Sequence, residues 1–155
     1  MSYVNEPIFI ADFQHFEQHV AKLFVRAGWT VETAKTNQPG YDLIVTKDKY
    51  IAAVQIKWLK SNVSTPQILK FVDFLETKEG KKFNAGFFVT TKGFGGPGLG
   101  LIKGWGKNTK VYCGIASEST IKWINPTEPF KSQTKAETIT NNSKKIYFGI
   151  FTCKG

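Results

Sequence analysis

The chain has 155 residues, of which 41% are hydrophobic and 21% are charged. This composition predicts a single folded domain over residues 1–155 and argues against a disordered chain. No apolar run reaches the ~18 residues of a membrane span, and the first residues lack the basic start of a signal peptide, so we expect a cytoplasmic protein with no membrane partner. The two cysteines, Cys113 and Cys153, form neither a metal-binding nor a disulfide pattern, and reduced thiols are expected.

The positive charge is concentrated in the middle of the chain. The net charge of +9 divides into −2 over residues 1–43, +8 over residues 44–110 and +3 over residues 111–155. This predicts a basic surface beside a region that contains carboxylates, and such a surface favours a polyanionic partner. Arg26 is the only arginine, and lysine is suited to phosphate rather than to base edges, so backbone and shape are the expected targets. A lysine-rich surface that serves only solubility stays an alternative.

The first predicted element is an amphipathic helix over residues 12–27. Asp12 fits the N-cap position and Gly28 fits the C-cap position. Its apolar side chains recur at three- and four-residue spacing, as a helix that packs on a core requires. They are Phe13, Phe16, Val20, Leu23, Phe24 and Ala27.

Three extended runs follow, over residues 29–34, 41–46 and 50–59, and the last two are joined by a short turn. Strands joined in this way pair antiparallel, which can bring Asp42 alongside Gln55 and Lys57. Side chains alternate along the third run. Gln55 and Lys57 therefore share one face, whereas Val54, Ile56 and Trp58 take the other, where Trp58 is expected to pack beneath the sheet.

The second half of the chain predicts a strand–helix–strand unit, which implies a parallel pair and an α/β sheet. Its helix has Thr65 at the N-cap and Pro66 at the first helical position, with Ile68, Leu69, Val72 and Leu75 directed inward. The predicted elements are a helix over 65–78, a strand over 83–91, a mobile glycine-rich loop over 92–100, a short helix over 101–105, a strand over 110–116, a polar connector over 126–143 and a terminal strand over 145–152.

Glu17 interrupts the apolar stripe of the first helix. A carboxylate at such a position costs free energy unless it meets a cation, a metal ion or hydrogen-bond donors. Together with Asp42, Gln55 and Lys57 it could form one polar cluster at the end of the sheet. For each residue alone a simpler role stays open: Glu17 as an acid that reaches water from the edge of the stripe, Asp42 as a turn acid, and Lys57 as a lysine that extends from an edge.

Short segments along the chain resemble the PD-(D/E)xK nuclease superfamily, and within it the Mrr-like restriction endonucleases, with a further likeness to archaeal Holliday-junction resolvases. The likeness covers about residues 10–125 and leaves a C-terminal extension over 126–155. It implies an α/β fold with a restriction-endonuclease-like α-β-β-β-α-β core, in which helices flank a mixed central sheet. The segments are Phe16-Glu17, Gly40-Tyr41-Asp42-Leu43, Val54-Gln55-Ile56-Lys57 and Gly86-Phe87-Phe88-Val89-Thr90-Thr91.

The resemblance implies an endonuclease that hydrolyses DNA phosphodiester bonds with Mg²⁺ or Mn²⁺. Asp42, Gln55 and Glu17 would be metal ligands, and Lys57 would orient water or stabilise developing charge. The chain departs from the superfamily consensus at two positions: Pro39 does not adjoin the aspartate, and the amide of Gln55 stands in place of a second acid. The amide leaves open a catalytically inactive nucleic-acid-binding module on the same fold, and a protein-interaction module is a third hypothesis. The residues expected to contact DNA are Lys60, Lys92, Lys103 and Lys107, and a homodimer could cut two strands.

Overall fold

The computed structural model describes residues 12–35, 40–106 and 109–129. In these ranges three α-helices and six strands follow one another in the order that the sequence patterns indicate, with a short 3₁₀ turn at Gly80–Lys82. The elements are α1 (Phe13–Arg26), β1 (Thr30–Thr33), β2 (Leu43–Lys47), β3 (Tyr50–Lys57), α2 (Thr65–Leu75), β4 (Ala85–Thr90), α3 (Gly96–Gly104), β5 (Val111–Ala116) and β6 (Ile121–Trp123).

The six strands form one mixed sheet in chain order, β1 to β6. The β1–β2, β2–β3 and β5–β6 pairs are antiparallel, whereas β3–β4 and β4–β5 are parallel, because α2 and α3 carry the chain back across the sheet. This confirms the predicted α/β class, the α-β-β-β-α-β order and the mixed central sheet flanked by helices. Strand β6 was not predicted, since its three residues are too short to show a pattern.

Each face of the sheet is covered by its own apolar cluster. Phe16, Val20 and Phe24 of α1 pack on one face, and Phe71 of α2 and Ile102 of α3 pack on the other. Every residue of β4 is consequently buried, as the continuous apolar centre of that strand predicted. Within the described ranges, no helix is long and apolar enough to cross a membrane.

Four apolar residues that were expected in the core are exposed instead, and one of them, Ala27, is the C-cap of α1. Phe13 is the first residue of α1, Leu69 lies on the outer side of α2, and Trp58 follows the last residue of β3. The strand alternation does not extend to Trp58 because β3 ends at Lys57. Phe71, which the sequence pattern did not select, takes the inward position of α2.

The glycine-rich segment 92–100 is not a loop throughout, because α3 already begins at Gly96. Pro97 lies in its first turn, where a missing N–H costs nothing, and Leu99 and Ile102 pack on the core. The cap of α2 also differs from expectation: Ser64 is the N-cap, and its N–H donates to Gln67 Oε1 at 2.8 Å. The connector predicted over 126–143 lies largely outside the described residues, and the strand predicted over 145–152 lies wholly outside them.

Candidate active site

The structure brings Asp42 and Gln55 into direct contact at the point where β2 begins. The antiparallel register pairs Leu43 with Val54, so the residue before β2 meets the residue after Val54. Gln55 Nε2 donates to Asp42 Oδ2 at 2.9 Å, and the Ile56 N–H donates to the same oxygen at 2.7 Å. Asp42 Oδ1 has no hydrogen-bond partner in the part of the chain that the structure describes. One carboxylate oxygen is thus anchored and the other is available.

The turn before Asp42 depends on a glycine. Gly40 has a φ of +97°, a region that side chains other than glycine rarely adopt. A Cβ at Gly40 would also overlap the ring of Phe74, which packs against Tyr41 with a centroid separation of 5.7 Å. The Asp42 N–H then donates to the Val54 carbonyl at 2.7 Å. The aromatic contacts and this hydrogen bond together fix where the Asp42 backbone meets β3.

Lys57 lies at the carboxyl end of β3, two residues beyond Gln55, and the two side chains share a face. Both line a cavity of about 650 Å³ whose opposite wall is α2, with Gln67 and Lys70 among its polar residues and Phe74 at its apolar side. The Lys57 charge lowers the pKa of Asp42, although burial of that carboxyl has the larger effect and raises it. The lysine therefore lies close enough to act electrostatically on the Asp42 carboxylate.

Glu17 approaches the same carboxylate from the α1 side of the sheet. Burial raises the pKa of Glu17, and the neighbouring charge of Asp42 raises it further. The opposite end of α1 lies by the β2–β3 turn, since Arg26 and Lys47 line one cavity. The N-terminal half of α1 is thereby placed at the sheet edge where Asp42 lies. Two half-buried carboxylates share this edge, and each is easier to protonate than it is in water.

The backbone of Ile56 is a contributor that the sequence analysis missed. Its N–H points at Asp42, and a strand residue directs its N–H and C=O to the same side, so the Ile56 carbonyl is expected on the Asp42 side as well. The sequence signal that could have identified this contribution is that Ile56 lies between two candidate-site residues, Gln55 and Lys57. Among the described residues, no group of three or more His, Cys, Asp or Glu side chains is placed so that it could hold a metal ion.

Of the four lysines expected to contact DNA, the three within the described residues do not lie together. Lys60 follows β3 and Lys92 follows β4, so both lie at the same sheet edge as Lys57. Their loops are tied by hydrogen bonds from the Val63 N–H to the Gly93 carbonyl at 2.8 Å and from the Gly95 N–H to the Val63 carbonyl at 3.1 Å. Lys103 lies in the last turn of α3, which runs back about 13 Å toward the other edge. Lys107 is outside the described residues.

Comparison with known proteins identifies the domain. A family model described as restriction endonuclease, the Mrr catalytic domain, matches residues 11–107. No curated protein sequence matches the chain. One solved structure that resembles it, described as protein of unknown function AF1548, has 16% sequence identity and a TM-score of 0.49. The similarity covers 63% of this chain and 56% of that one.

The matched range contains the Asp42–Gln55 contact, Lys57, Glu17 and the strands that position them, and it extends over more than half of the sequence. This chain belongs to the restriction endonuclease family of the PD-(D/E)xK type, through a domain related to the Mrr catalytic domain.

Proposed function

We propose that the protein is a metal-dependent DNA endonuclease whose site consists of Glu17, Asp42, Gln55 and Lys57. The observation that carries this proposal is the anchored Asp42 carboxylate, which has one oxygen held by Gln55 and Ile56 and the other available, with a second acid and a lysine beside it. Carboxylates and a lysine at one sheet edge suit phosphodiester hydrolysis, in which negative charge develops on the phosphate.

The donor set fits a hard divalent cation. Mg²⁺ prefers oxygen ligands, takes one or two carboxylates and retains several waters. Asp42 Oδ1 and Glu17 would supply carboxylate oxygens, and Gln55 would supply its amide oxygen, because its Nε2 is already used by Asp42. Burial raises the pKa of Asp42 and that of Glu17, and a nearby dication would favour the charged form of both carboxylates. A bound Mg²⁺ would supply Lewis-acid polarisation of the phosphate and acidify water.

The protein's own residues supply the remaining functions. Gln55 and Ile56 hold the Asp42 carboxylate in one orientation before substrate arrives, which lowers the cost of ordering it. Lys57, as an ammonium at the cavity wall, would stabilise the charge that develops on the phosphate oxygens. Lys60 and Lys92, at the same edge, would contact neighbouring phosphates, and a protein that neutralises phosphates binds in a salt-dependent way.

The test is cleavage of plasmid and branched DNA in Mg²⁺ or Mn²⁺. Asp42→Ala should abolish cleavage, and Lys57→Ala should reduce it by about 10²–10³-fold, the usual loss when one group that stabilises the transition state is removed. Lys49→Ala is the matched control, because Lys49 lies in the turn at the other end of β3, about 25 Å away. Cleavage by Asp42→Ala at the wild-type rate would overturn the proposal.

Gln55 supports a second candidate, a DNA-binding module without catalysis. Its donated hydrogen bond holds Asp42 without a metal ion, and its amide brings no charge to attract one. This candidate predicts salt-sensitive DNA binding and no hydrolysis in Mg²⁺ or Mn²⁺, so any hydrolysis that depends on Asp42 would exclude it. Homodimerisation stays a prediction, to be tested by the molar mass in solution with and without DNA.

A further inference from the structure

Two aromatic residues that are neighbours, along α1 or in sequence, of candidate-site residues are exposed, whereas the other aromatic side chains in the described ranges are buried or half-buried. Phe13 is 38% exposed and Trp58 is 37% exposed. Both were expected in the core, and neither belongs to the apolar cluster on either face of the sheet. Single exposed apolar residues are ordinary on protein surfaces. What distinguishes this pair is its position.

Each of the two aromatics adjoins a residue of the candidate site. Trp58 is the next residue after Lys57, just beyond the end of β3. Phe13 lies one helical turn before Glu17, on the same side of α1, because residues four apart on a helix are neighbours. The two aromatics are thus the neighbours of Glu17 along the helix and of Lys57 along the chain.

The indole of Trp58 is partly exposed in the described fold. Within that part of the chain it makes no ring contact and no hydrogen bond. Tyr41 and Phe74, by contrast, pack against one another nearby. An exposed aromatic face with lysines on either side of it in sequence, Lys57 and Lys60, combines a stacking surface with phosphate-binding charge. Proteins that bind single-stranded nucleic acid use this combination.

We propose that Trp58 and Phe13 are base-stacking positions, and that the DNA bound at this site carries unpaired bases next to the phosphate to be cleaved. The inference rests on the proposed nuclease function and adds the substrate class. In a continuous duplex the base faces are occupied by neighbouring bases, so an aromatic side chain reaches one only if the stack is opened. Single-stranded, gapped or branched DNA offers such faces at no unpairing cost. Backbone contacts from Lys57, Lys60 and Lys92 are compatible with any of these shapes.

The inference is tested by DNA binding in EDTA, where cleavage cannot contribute. The probes are a single strand, the same sequence as a perfect duplex, and that duplex with an internal gap. Trp58→Ala should weaken binding of the single strand and of the gapped duplex by about five-fold or more, since a stacked base contributes about 1–3 kcal/mol. Phe13→Ala should act in the same direction. Affinity for the perfect duplex should change by less than about two-fold in both variants, because that duplex offers no free base face.

Controls separate stacking from loss of charge or of fold. Trp58→Phe should restore most of the affinity. Val25→Ala, which removes an exposed apolar side chain at the far end of α1, should have no effect. The slope of log affinity against log salt should be the same in Trp58→Ala and wild type, because no phosphate contact is lost. The tryptophan fluorescence of the wild type should be quenched by the single strand, and Trp58→Phe should lose that quenching.

Equal weakening for all three DNA shapes, a changed salt slope, or no weakening at all would overturn the inference. Tighter Trp58-dependent binding to single-stranded RNA than to DNA of the same sequence would overturn DNA as the substrate.

Failure of the nuclease proposal is distinguishable from these results. If no DNA is hydrolysed in Mg²⁺ or Mn²⁺ but the Trp58-dependent preference persists, the stacking positions stand and the catalytic proposal falls. If hydrolysis requires Asp42 and Trp58→Ala cuts every substrate as wild type does, only the stacking inference falls.

Discussion

The substitution Gln55→Glu examines the candidate site most directly, because it changes one group and keeps the shape. In the protein, Gln55 Nε2 donates to Asp42 Oδ2 at 2.9 Å. A glutamate has no donor at that atom and places a second negative charge against Asp42. The variant also restores the second acid that the PD-(D/E)xK pattern usually carries, so it should weaken the metal-free fold and strengthen cation binding.

The expected loss follows from this contact. A hydrogen bond to a charged group contributes about 1.5–3 kcal/mol, and two carboxylates about 4 Å apart repel by about 4 kcal/mol at an effective dielectric constant of about 20. Protonation of one carboxyl and movement of the new side chain relieve part of the repulsion. We therefore expect the free energy of unfolding to fall by about 2–3 kcal/mol at pH 7 in EDTA. For a chain of 155 residues this lowers the Tm by about 4–12 °C.

The assay is thermal unfolding in EDTA and in a series of Mg²⁺ concentrations. A ligand that binds only the folded state stabilises it according to its dissociation constant, so a tighter site gives a larger rise in Tm at each concentration. Gln55→Glu should therefore gain more from Mg²⁺ than wild type does. In EDTA the loss in Tm should shrink as the pH falls and one carboxyl becomes protonated.

Gln67→Glu is the matched control, since it adds the same charge to the same cavity. Gln67 Oε1 accepts hydrogen bonds from the Ser64 N–H at 2.8 Å and from Ser64 Oγ at 3.0 Å, and a glutamate keeps those acceptors at a helix N-terminus. No loss of stability is expected. If Gln55→Glu unfolds at the wild-type temperature in EDTA, or if Mg²⁺ raises the Tm of both variants equally, the reasoning about Asp42 and the cation is refuted.

Two further predictions concern charge and backbone at the same edge. Burial raises the pKa of Asp42 above its usual 3.8 and that of Glu17 above 4.5. Between about pH 4 and neutral pH the folded state therefore binds more protons than the unfolded state. In EDTA the free energy of unfolding should decline as the pH rises through this range. Asp42→Asn should flatten this decline and raise the Tm at pH 7 while abolishing cleavage; an unchanged pH profile in urea titrations would contradict it. Gly40→Ala should lower the free energy of unfolding by about 1–3 kcal/mol through its φ of +97°, with an added loss from displacing Phe74. Gly28→Ala is the control, because Gly28 has the same φ but lies beside the flexible Lys47 side chain, so its loss of stability measures the backbone strain alone. Equal losses in the two variants would show that displacing Phe74 does not contribute to the loss at Gly40.

The local parts of the fold and site could be predicted from the sequence. The helix α1, its Asp12 cap and the antiparallel pairing of β2 with β3 depend on residues close together in the chain. A two-residue turn between Lys47 and Tyr50 allows few registers, so the contact between Asp42 and Gln55 follows almost from chain order. The order of strands and helices also indicated the mixed sheet, because a helix between two strands implies a parallel pair.

Other features were decided only by the packing of elements distant in sequence. The start of α3 at Gly96 depends on apolar contacts of Leu99 and Ile102 with the sheet, which outweigh the poor helix propensity of glycine. The separation of Lys103 from Lys60 and Lys92 results from the direction of α3. Whether an aromatic residue is buried depends on what covers it, and a spacing pattern does not contain that information.

Phe13 and Trp58 show this division most clearly. Each continues an apolar pattern in the sequence, but α1 begins at Phe13 and β3 ends before Trp58, so the sheet does not reach far enough to cover them. The amino-acid order determined which residues could form a polar site. The extent of the sheet and the packing of α1 on one of its faces determined which side chains surround that site, because burial is a property of the assembled layers rather than of any one segment.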